Sequence, residues 1–380
     1  MNPTVTFLTG NRWRHDEARR LLSGVDVAWA RLSLKKPDAT DLREVARGRV
    51  LDGFRQLGAP CFTENTGLYL EGRDDQPGAD FKRLLLEHGA VDLARRFAGA
   101  RGVARVVVAY TADGHDVHLF EGESEGEMAP APRGEGGYGW DPLWIPAGYG
   151  RTLAELATSK YLVNMRHAPF LALRGLLCGD VEGGVFEAHV TVCPCPPASF
   201  AEACDLLGVK CLFIELPRGE EPCQPMTVSH HRGTFGEAIA EVHELGRELV
   251  KAGFTVTRTK IEAVGRHPSL QQSDEAAARS PANTYFEHHA TITLPPGADL
   301  DAIERLCRSL DGYLSRNTRK AANEAYVTIR SHGLGREASD ARFDRLVAAL
   351  EALGISCRHR AREFTLYDSA ISVDRGWTTS

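Results

Sequence analysis

Phe186-Glu187-Ala188-His189-Val190-Thr191-Val192 returns 100 residues later as Phe286-Glu287-His288-His289-Ala290-Thr291-Ile292. A long-period repeat limits the fold more than composition does, because both copies must build the same supersecondary unit. The segments after each copy predict one series: helix (Phe200–Leu207; Leu300–Leu310), strand (Cys211–Leu216; Tyr313–Arg316), strand (Met226–Ser229; Tyr326–Arg330), helix (Phe235–Ala252; Arg342–Leu353), strand (Thr255–Ala263; Cys357–Leu366). With the heptapeptide as first strand this is βαββαβ twice, a duplicated ferredoxin-like α+β domain over residues 185–380, with repeats at about 185–264 and 285–370. Ala263–Thr284, punctuated by Pro268 and Pro281, is the connector.

Strand alternation puts Glu187, His189 and Thr191 on one face of the first copy, and Phe186, Ala188, Val190 and Val192 on the other. The same holds for Glu287, His289 and Thr291. The apolar face reads as core. The polar face reads either as catalytic or as a half-buried polar surface that both copies inherited.

The preceding residues, 1–178, follow a different plan. Val5–Thr9 is a short β-rich segment that ends in Thr9-Gly10-Asn11 and leads into a helix at Glu17–Leu22. Such a strand-to-helix turn presents backbone N–H groups where a phosphate is favoured. Helices are predicted at about 40–57, at Phe81–His88 and Val91–Phe97, and at Pro169–Leu177. Ala104–Thr111 is an almost wholly apolar strand, which suggests cover on both faces and an α/β domain. The small and acidic run Cys178–Gly184 marks the boundary.

Composition narrows the function classes. The 380 residues carry 45 Lys+Arg against 51 Asp+Glu, so a dedicated duplex-binding protein is not expected. No 18-residue apolar run predicts a membrane span, and the first residues do not read as a signal peptide. Nine cysteines, with only Cys61 before residue 178 and a closest pair of Cys193-Pro-Cys195, lack zinc-site spacing and read as reduced thiols of a cytoplasmic chain.

Glu64-Asn65-Thr66-Gly67-Leu68, the run Arg133-Gly134 through Gly137-Tyr138-Gly139-Trp140-Asp141-Pro142, and Ala154-Glu155-Leu156 followed by Lys160 and Arg166 occur in that order after Thr9-Gly10-Asn11. In this order they resemble the inosine triphosphate pyrophosphatase family over residues 4–177. The resemblance implies a two-lobed α/β fold, usually a homodimer, in which Mg²⁺-dependent attack of water cleaves a non-canonical purine nucleoside triphosphate to monophosphate and pyrophosphate. By position it implies that Thr9, Gly10, Asn11, Arg14, Arg49 and Lys82 hold phosphates. Tyr138, Gly139, Trp140 and Asp141 would frame the base, and Lys160 and Arg166 would close over the nucleotide. Glu64 and Asn65 stand at the catalytic and metal positions.

The sequence departs from that family at informative places. Asn65 replaces the Asp expected to bind metal or activate water, and an amide cannot accept a proton near neutral pH. Asn164-Met165-Arg166 keeps the Arg of a Ser-His-Arg motif and loses the His. Arg14 and Arg49 replace lysines, which keeps charge and changes geometry.

The paired H-x-T motifs resemble the two-histidine phosphoesterases over about residues 185–370. That resemblance implies that His189 and His289 act as general acid and base without any cofactor, with Thr191 and Thr291 holding the phosphate.

Overall fold

The computed structural model describes residues 3–22, 24–35, 37, 39, 41–72, 77–178, 183–216, 219–221 and 222–265, 267, 270–278, 284–321, 323–374 and 377. Residues 3–179 form one compact unit and residues 180–380 another. Residues 179–182 of the expected boundary, Thr40 at the expected helix start, and both connector prolines lie outside the described residues.

The first unit runs β1 (Thr4–Leu8), α1 (Arg12–Leu21), β2 (Asp26–Ala30), α2 (Leu42–Leu57), β3 (Cys61–Leu70), β4 (Pro77–Gly78), α3 (Phe81–Phe97), β5 (Arg101–Thr111), β6 (His118–Met128), β7 (Trp144–Pro146), α4 (Lys160–Val163) and α5 (His167–Cys178). Its sheet has the order β2-β1-β3-β5-β6-β7, with β4 on β3. Among the described residues, only the β1–β2 and β1–β3 pairs are parallel. The apolar run of β5 is buried at every residue from Val106 to Thr111, as a strand covered on both faces requires, yet both its neighbours are antiparallel.

Two local features place the cleft described below. Asn11 caps α1 by accepting a hydrogen bond from the Trp13 N–H, so the Thr9-Gly10-Asn11 turn opens at a helix N-terminus. Phe7 of β1 stacks on Phe62 of β3 at 4.3 Å, and Phe170 of α5 meets both edge-on. Burying such rings stabilises the sheet by about 1.5–3 kcal/mol each. The two helices expected over 81–97 form one element interrupted at Gly89, whose φ of 77° only glycine adopts readily.

The second unit runs β8 (Gly184–Val192), α6 (Pro197–Leu206), β9 (Lys210–Glu215), β10 (Cys223–Gly233), α7 (Phe235–Lys251), β11 (Val256–Val264), α8 (Asp274–Ala278), β12 (Tyr285–Thr293), α9 (Leu300–Ser309), β13 (Gly312–Asn317), β14 (Glu324–Ser331), α10 (Arg336–Ala352) and β15 (Ser356–Asp368). Its strands are antiparallel and close into a barrel of order β10-β8-β11-β15-β12-β14-β13-β9. The sequence reading did not foresee that closure, which comes from β11 pairing with β15 and β9 with β13.

Phe186, Ala188, Val190 and Val192 are buried at 1% exposure or less. On the other half, Ala290, Ile292 and Ile329 pack with Phe343, Leu346 and Leu350 of α10. The opposite faces turn into the barrel. Eight strands ordinarily enclose only enough room for side chains. Here the interior keeps a cavity of about 790 Å³, walled by Glu187, His189, Thr191, Glu287 and His289 among others.

Candidate functional site

The first unit contains a cleft of about 950 Å³. The β1–α1 turn brings Thr9, Gly10 and Asn11 to it, α1 brings Arg14, α2 brings Arg49, β3 brings Glu64 and Asn65, and α3 brings Lys82. The loop before β7 adds Tyr138, Gly139, Trp140 and Asp141, and Arg166 closes one side. Lys160 is not in the wall but bonds to it, with Nζ 2.7 Å from Asp141 Oδ2.

Asp141 organises the glycine-rich loop. Its Oδ2 also accepts from the Tyr138 N–H at 2.8 Å. Gly137 at φ 83° makes that turn, and a Cβ there would lie 2.2 Å from Asp141 Oδ2. The loop is thus fixed by one carboxylate and one residue with no side chain.

Glu64 sits 4% exposed between two arginines. Arg14 Nη1 lies 2.8 Å from Oε1, while Arg166 donates from Nε to Oε2 at 2.8 Å and from Nη2 to Oε1 at 3.2 Å. Burial pushes the Glu64 pKa up, but Arg166 and Arg14 outweigh it and hold the carboxyl below its ordinary range. Next to it, Asn65 Oδ1 accepts from Arg49 Nη1 at 2.8 Å. Arg12 and Arg31 line the cleft as well, so cations outnumber the carboxylates Glu64 and Asp141. Among the described residues, Arg14 Nε and Asn65 Nδ2 are buried donors that find no hydrogen-bond partner. Buried donors are nearly always satisfied, so these two mark where acceptor oxygens belong.

The expected metal position does not fit Mg²⁺ as the side chains stand. Both oxygens of Glu64 are held by guanidinium groups, and Asn65 offers its only side-chain oxygen to Arg49. No group of three or more His, Cys, Asp or Glu suited to a metal occurs among the described residues.

The expected base-framing aromatics are also engaged. Trp140 is 8% exposed and meets Phe81 edge-on at 5.4 Å, and the Tyr138 ring has Lys160 Nζ 4.1 Å from its centroid and Arg166 at 5.4 Å. The exposed aromatic in the wall is Trp13, at 64%. The sequence reading missed it, along with Glu17, a buried α1 carboxylate that accepts from Tyr138 Oη at 2.7 Å and from Asn164 Nδ2. Burial raises the Glu17 pKa, but Lys160 and Arg166 outweigh it and hold the group charged. A glutamate beside Ala18 on the apolar side of α1 was the available signal.

In the second unit, His189 and His289 wall the same barrel cavity. His189 Nε2 lies 3.4 Å from Glu187 and 3.3 Å from Glu262, and His289 Nδ1 lies 3.4 Å from Glu363. Thr191 is in the wall, whereas Thr291 is not. A buried charge chain continues from Lys260, 2.9 Å from Glu262 and 3.0 Å from Glu287, through Arg330 to Asp374. Burial lowers the His289 pKa, and burial with the neighbouring Glu262 and Glu187 raises that of Glu363 to about 9.

No helix among the described residues is long and apolar enough to cross a membrane. Residues 5–175 match the Ham1 family, whose enzymes typically use Mg²⁺. The dITP/XTP pyrophosphatase of Thermococcus kodakarensis is 32% identical over 161 residues, covering 41% of this chain and 86% of that protein. The inosine triphosphate pyrophosphatase of Mycosarcoma maydis is 32% identical over 187 residues, covering 47% and 96%. The solved structure of a HAM1 protein from Coxiella burnetii aligns over 46% of this chain and 98% of its own, at 20% identity and a TM-score of 0.41. Through its first unit, this chain belongs to the Ham1 family of nucleoside triphosphate pyrophosphatases.

Proposed function

We propose that the first unit hydrolyses a purine nucleoside triphosphate, of the dITP, XTP or ITP kind named for its relatives, to monophosphate and pyrophosphate. The observation that carries this reading is the pair of unpartnered buried donors, Arg14 Nε and Asn65 Nδ2, inside a wall of Arg12, Arg31, Arg49, Lys82 and Arg166. Phosphoanhydride cleavage is mainly positioning and charge neutralisation. Water adds to the α-phosphorus and gives up a proton to solvent, the bond to the bridging oxygen breaks, and pyrophosphate leaves with its new charge facing guanidinium groups. Glu64 is the ionised carboxylate at the cleft, and Arg14 and Arg166 fix its orientation. A panel of nucleoside triphosphates with Mg²⁺, reading pyrophosphate and orthophosphate separately, tests this. Pyrophosphate release supports it, and orthophosphate alone, or no product at all, overturns it.

A second reading for the same cleft is binding without turnover. It is favoured by the occupied oxygens of Glu64 and Asn65, which leave no free base. Calorimetry separates the two readings, since tight binding with no pyrophosphate selects this one.

For the second unit we propose a duplicated ferredoxin-like origin, supported by the same strand order in β9-β10-β8-β11 and β13-β14-β12-β15. The shared cavity of His189 and His289 favours phosphodiester cleavage by a histidine pair.

A further inference from the structure

Trp29 is an exposed aromatic on β2, the edge strand of the first sheet. Its indole Nε1 donates to the Thr9 carbonyl at 2.6 Å, and its ring stacks on His15 of α1 with centroids 5.8 Å apart. Thr9, Gly10 and Asn11 are in the wall of the first-unit cleft, whereas Trp29 and His15 are not. The indole therefore holds the Thr9 carbonyl toward β2 and away from the cleft.

The polar groups on either side of that carbonyl are fixed as well. The Thr9 N–H donates to the Ala30 carbonyl at 3.1 Å, and Thr9 Oγ1 accepts from the Asn11 N–H at 3.2 Å. The Gly10 N–H is left, with no partner among the described residues. In a trans peptide the C=O and the following N–H point in opposite directions, so a Thr9 carbonyl held outward aims the Gly10 N–H into the cleft. Arg31 follows Trp29 along the chain and lines the cleft, and its Nε stands 3.8 Å from the place that a Cβ on Gly10 would take. A backbone N–H and a guanidinium thus converge on one spot, the combination that binds a phosphate oxygen. The buried and unpartnered Asn65 Nδ2 belongs to the same wall.

We propose that Trp29 is a positioning residue for the triphosphate: its indole N–H locks the Thr9–Gly10 peptide in the orientation that presents the Gly10 N–H to a phosphate oxygen. This rests on the reading of the cleft as a triphosphate site. Glycine has no side chain to restrain its backbone, so without the indole donor the peptide can turn and withdraw that N–H. The Trp29 ring itself touches no substrate in this role.

The test is calorimetry of the full chain with inorganic tripolyphosphate, which reports phosphate binding without a base and without turnover. Trp29→Phe keeps a ring against His15 and removes the donor. Trp29→Gln removes the ring and keeps an N–H donor at the same number of bonds from Cβ. The expected result is an affinity about threefold to tenfold weaker in Trp29→Phe, the worth of one hydrogen bond, and close to wild type in Trp29→Gln. On inosine triphosphate, Trp29→Phe should raise KM by a similar factor with kcat little changed, because a phosphate held alike in ground and transition states contributes uniform binding. A ring that only packs gives the reverse order, with loss of thermal stability and affinity in Trp29→Gln and neither in Trp29→Phe. Unchanged affinity in Trp29→Phe, equal loss in both variants, or a wild-type chain that binds no tripolyphosphate overturns the proposal. A chain that binds tripolyphosphate through Trp29 yet releases no pyrophosphate from any nucleotide overturns the hydrolysis and leaves this assignment standing.

Discussion

Arg49 donates from Nη1 to the side-chain oxygen of Asn65 at 2.8 Å, within the cleft where Arg14 and Arg166 already hold Glu64. A neutral amide therefore stands where the cationic surroundings would keep a carboxylate ionised. Asn65→Asp should form an ion pair with Arg49 through one oxygen and leave the other as a proton acceptor beside Glu64. We expect Mg²⁺-dependent pyrophosphate release to rise about 10²–10⁴-fold, the usual worth of a positioned base. Initial rates on inosine triphosphate check it. An unchanged or lower rate would mean that Glu64 alone does the chemistry.

Two tryptophans line the cleft, Trp13 exposed and Trp140 buried. Trp13→Ala should weaken purine nucleotide binding by about 1–3 kcal/mol, the value of one stacked base, with little effect on stability. Trp140→Ala removes a packed ring from Phe81 and should cost about 3–5 kcal/mol of stability. Calorimetry and thermal unfolding on both variants separate the roles. Equal nucleotide affinity in wild type and Trp13→Ala would return the stacking role to the loop aromatics.

The parts of this fold that were legible are those whose local pattern agrees with their tertiary setting. The β5 run was legible from its apolar spacing, whereas α1 was expected only at Glu17–Leu22 and in fact begins at Arg12, where Asn11 caps it. β6, His118–Met128, was missed as a strand because its Gly and Glu residues have low strand propensity; pairing with β5 from Tyr110 to Arg101 overrides this. β2 is a short edge strand with little apolar pattern. Barrel closure depends on contacts between distant strands, such as Arg316 opposite Glu215, and no local signal encodes them. In the cleft, motif order picked residues that the fold gathers in one wall but could not show which rings were already packed.

Glu363 gives the barrel a pH signature. Its carboxyl is raised from 4.5 to about 9, first by burial and then by Glu262 and Glu187. A raised folded-state value means the native chain holds a proton that the unfolded chain releases, so this contribution is complete below pH 4.5 and is lost as pH climbs to about 9. Stability should fall across that window with a slope of at most about 1.4 kcal/mol per pH unit from this group. Glu363→Gln, which mimics the protonated form, should flatten the slope. Denaturant melts from pH 5 to 9 measure it, and an unchanged slope in the variant would show that Glu363 is ionised in the native barrel.

His189 and His289 wall one cavity, and cleavage by the histidine pair requires that a single phosphodiester meet both rings. If they act as acid and base, one must be neutral while the other is protonated, and the rate on a 2′,3′-cyclic phosphodiester should follow a bell-shaped pH profile that EDTA leaves intact. Because such a pair works as a unit, His189→Ala and His289→Ala should each remove nearly all turnover, and the double variant should lose little more. The fold should survive both changes. Glu262 keeps Lys260 at 2.9 Å and Thr365 at 3.0 Å after His189 is removed, and Glu187 keeps His230 at 3.2 Å. The opposing force is the carboxylate belt of Glu187, Glu262 and Glu287, which repels an entering phosphate unless Lys260 and Arg330 neutralise it. Raising the salt concentration should therefore change KM more than kcat, because screening acts on entry of the anion rather than on proton transfer. Absence of diesterase activity in a barrel that melts normally would remove the catalytic reading and leave the histidines as partners of their glutamates.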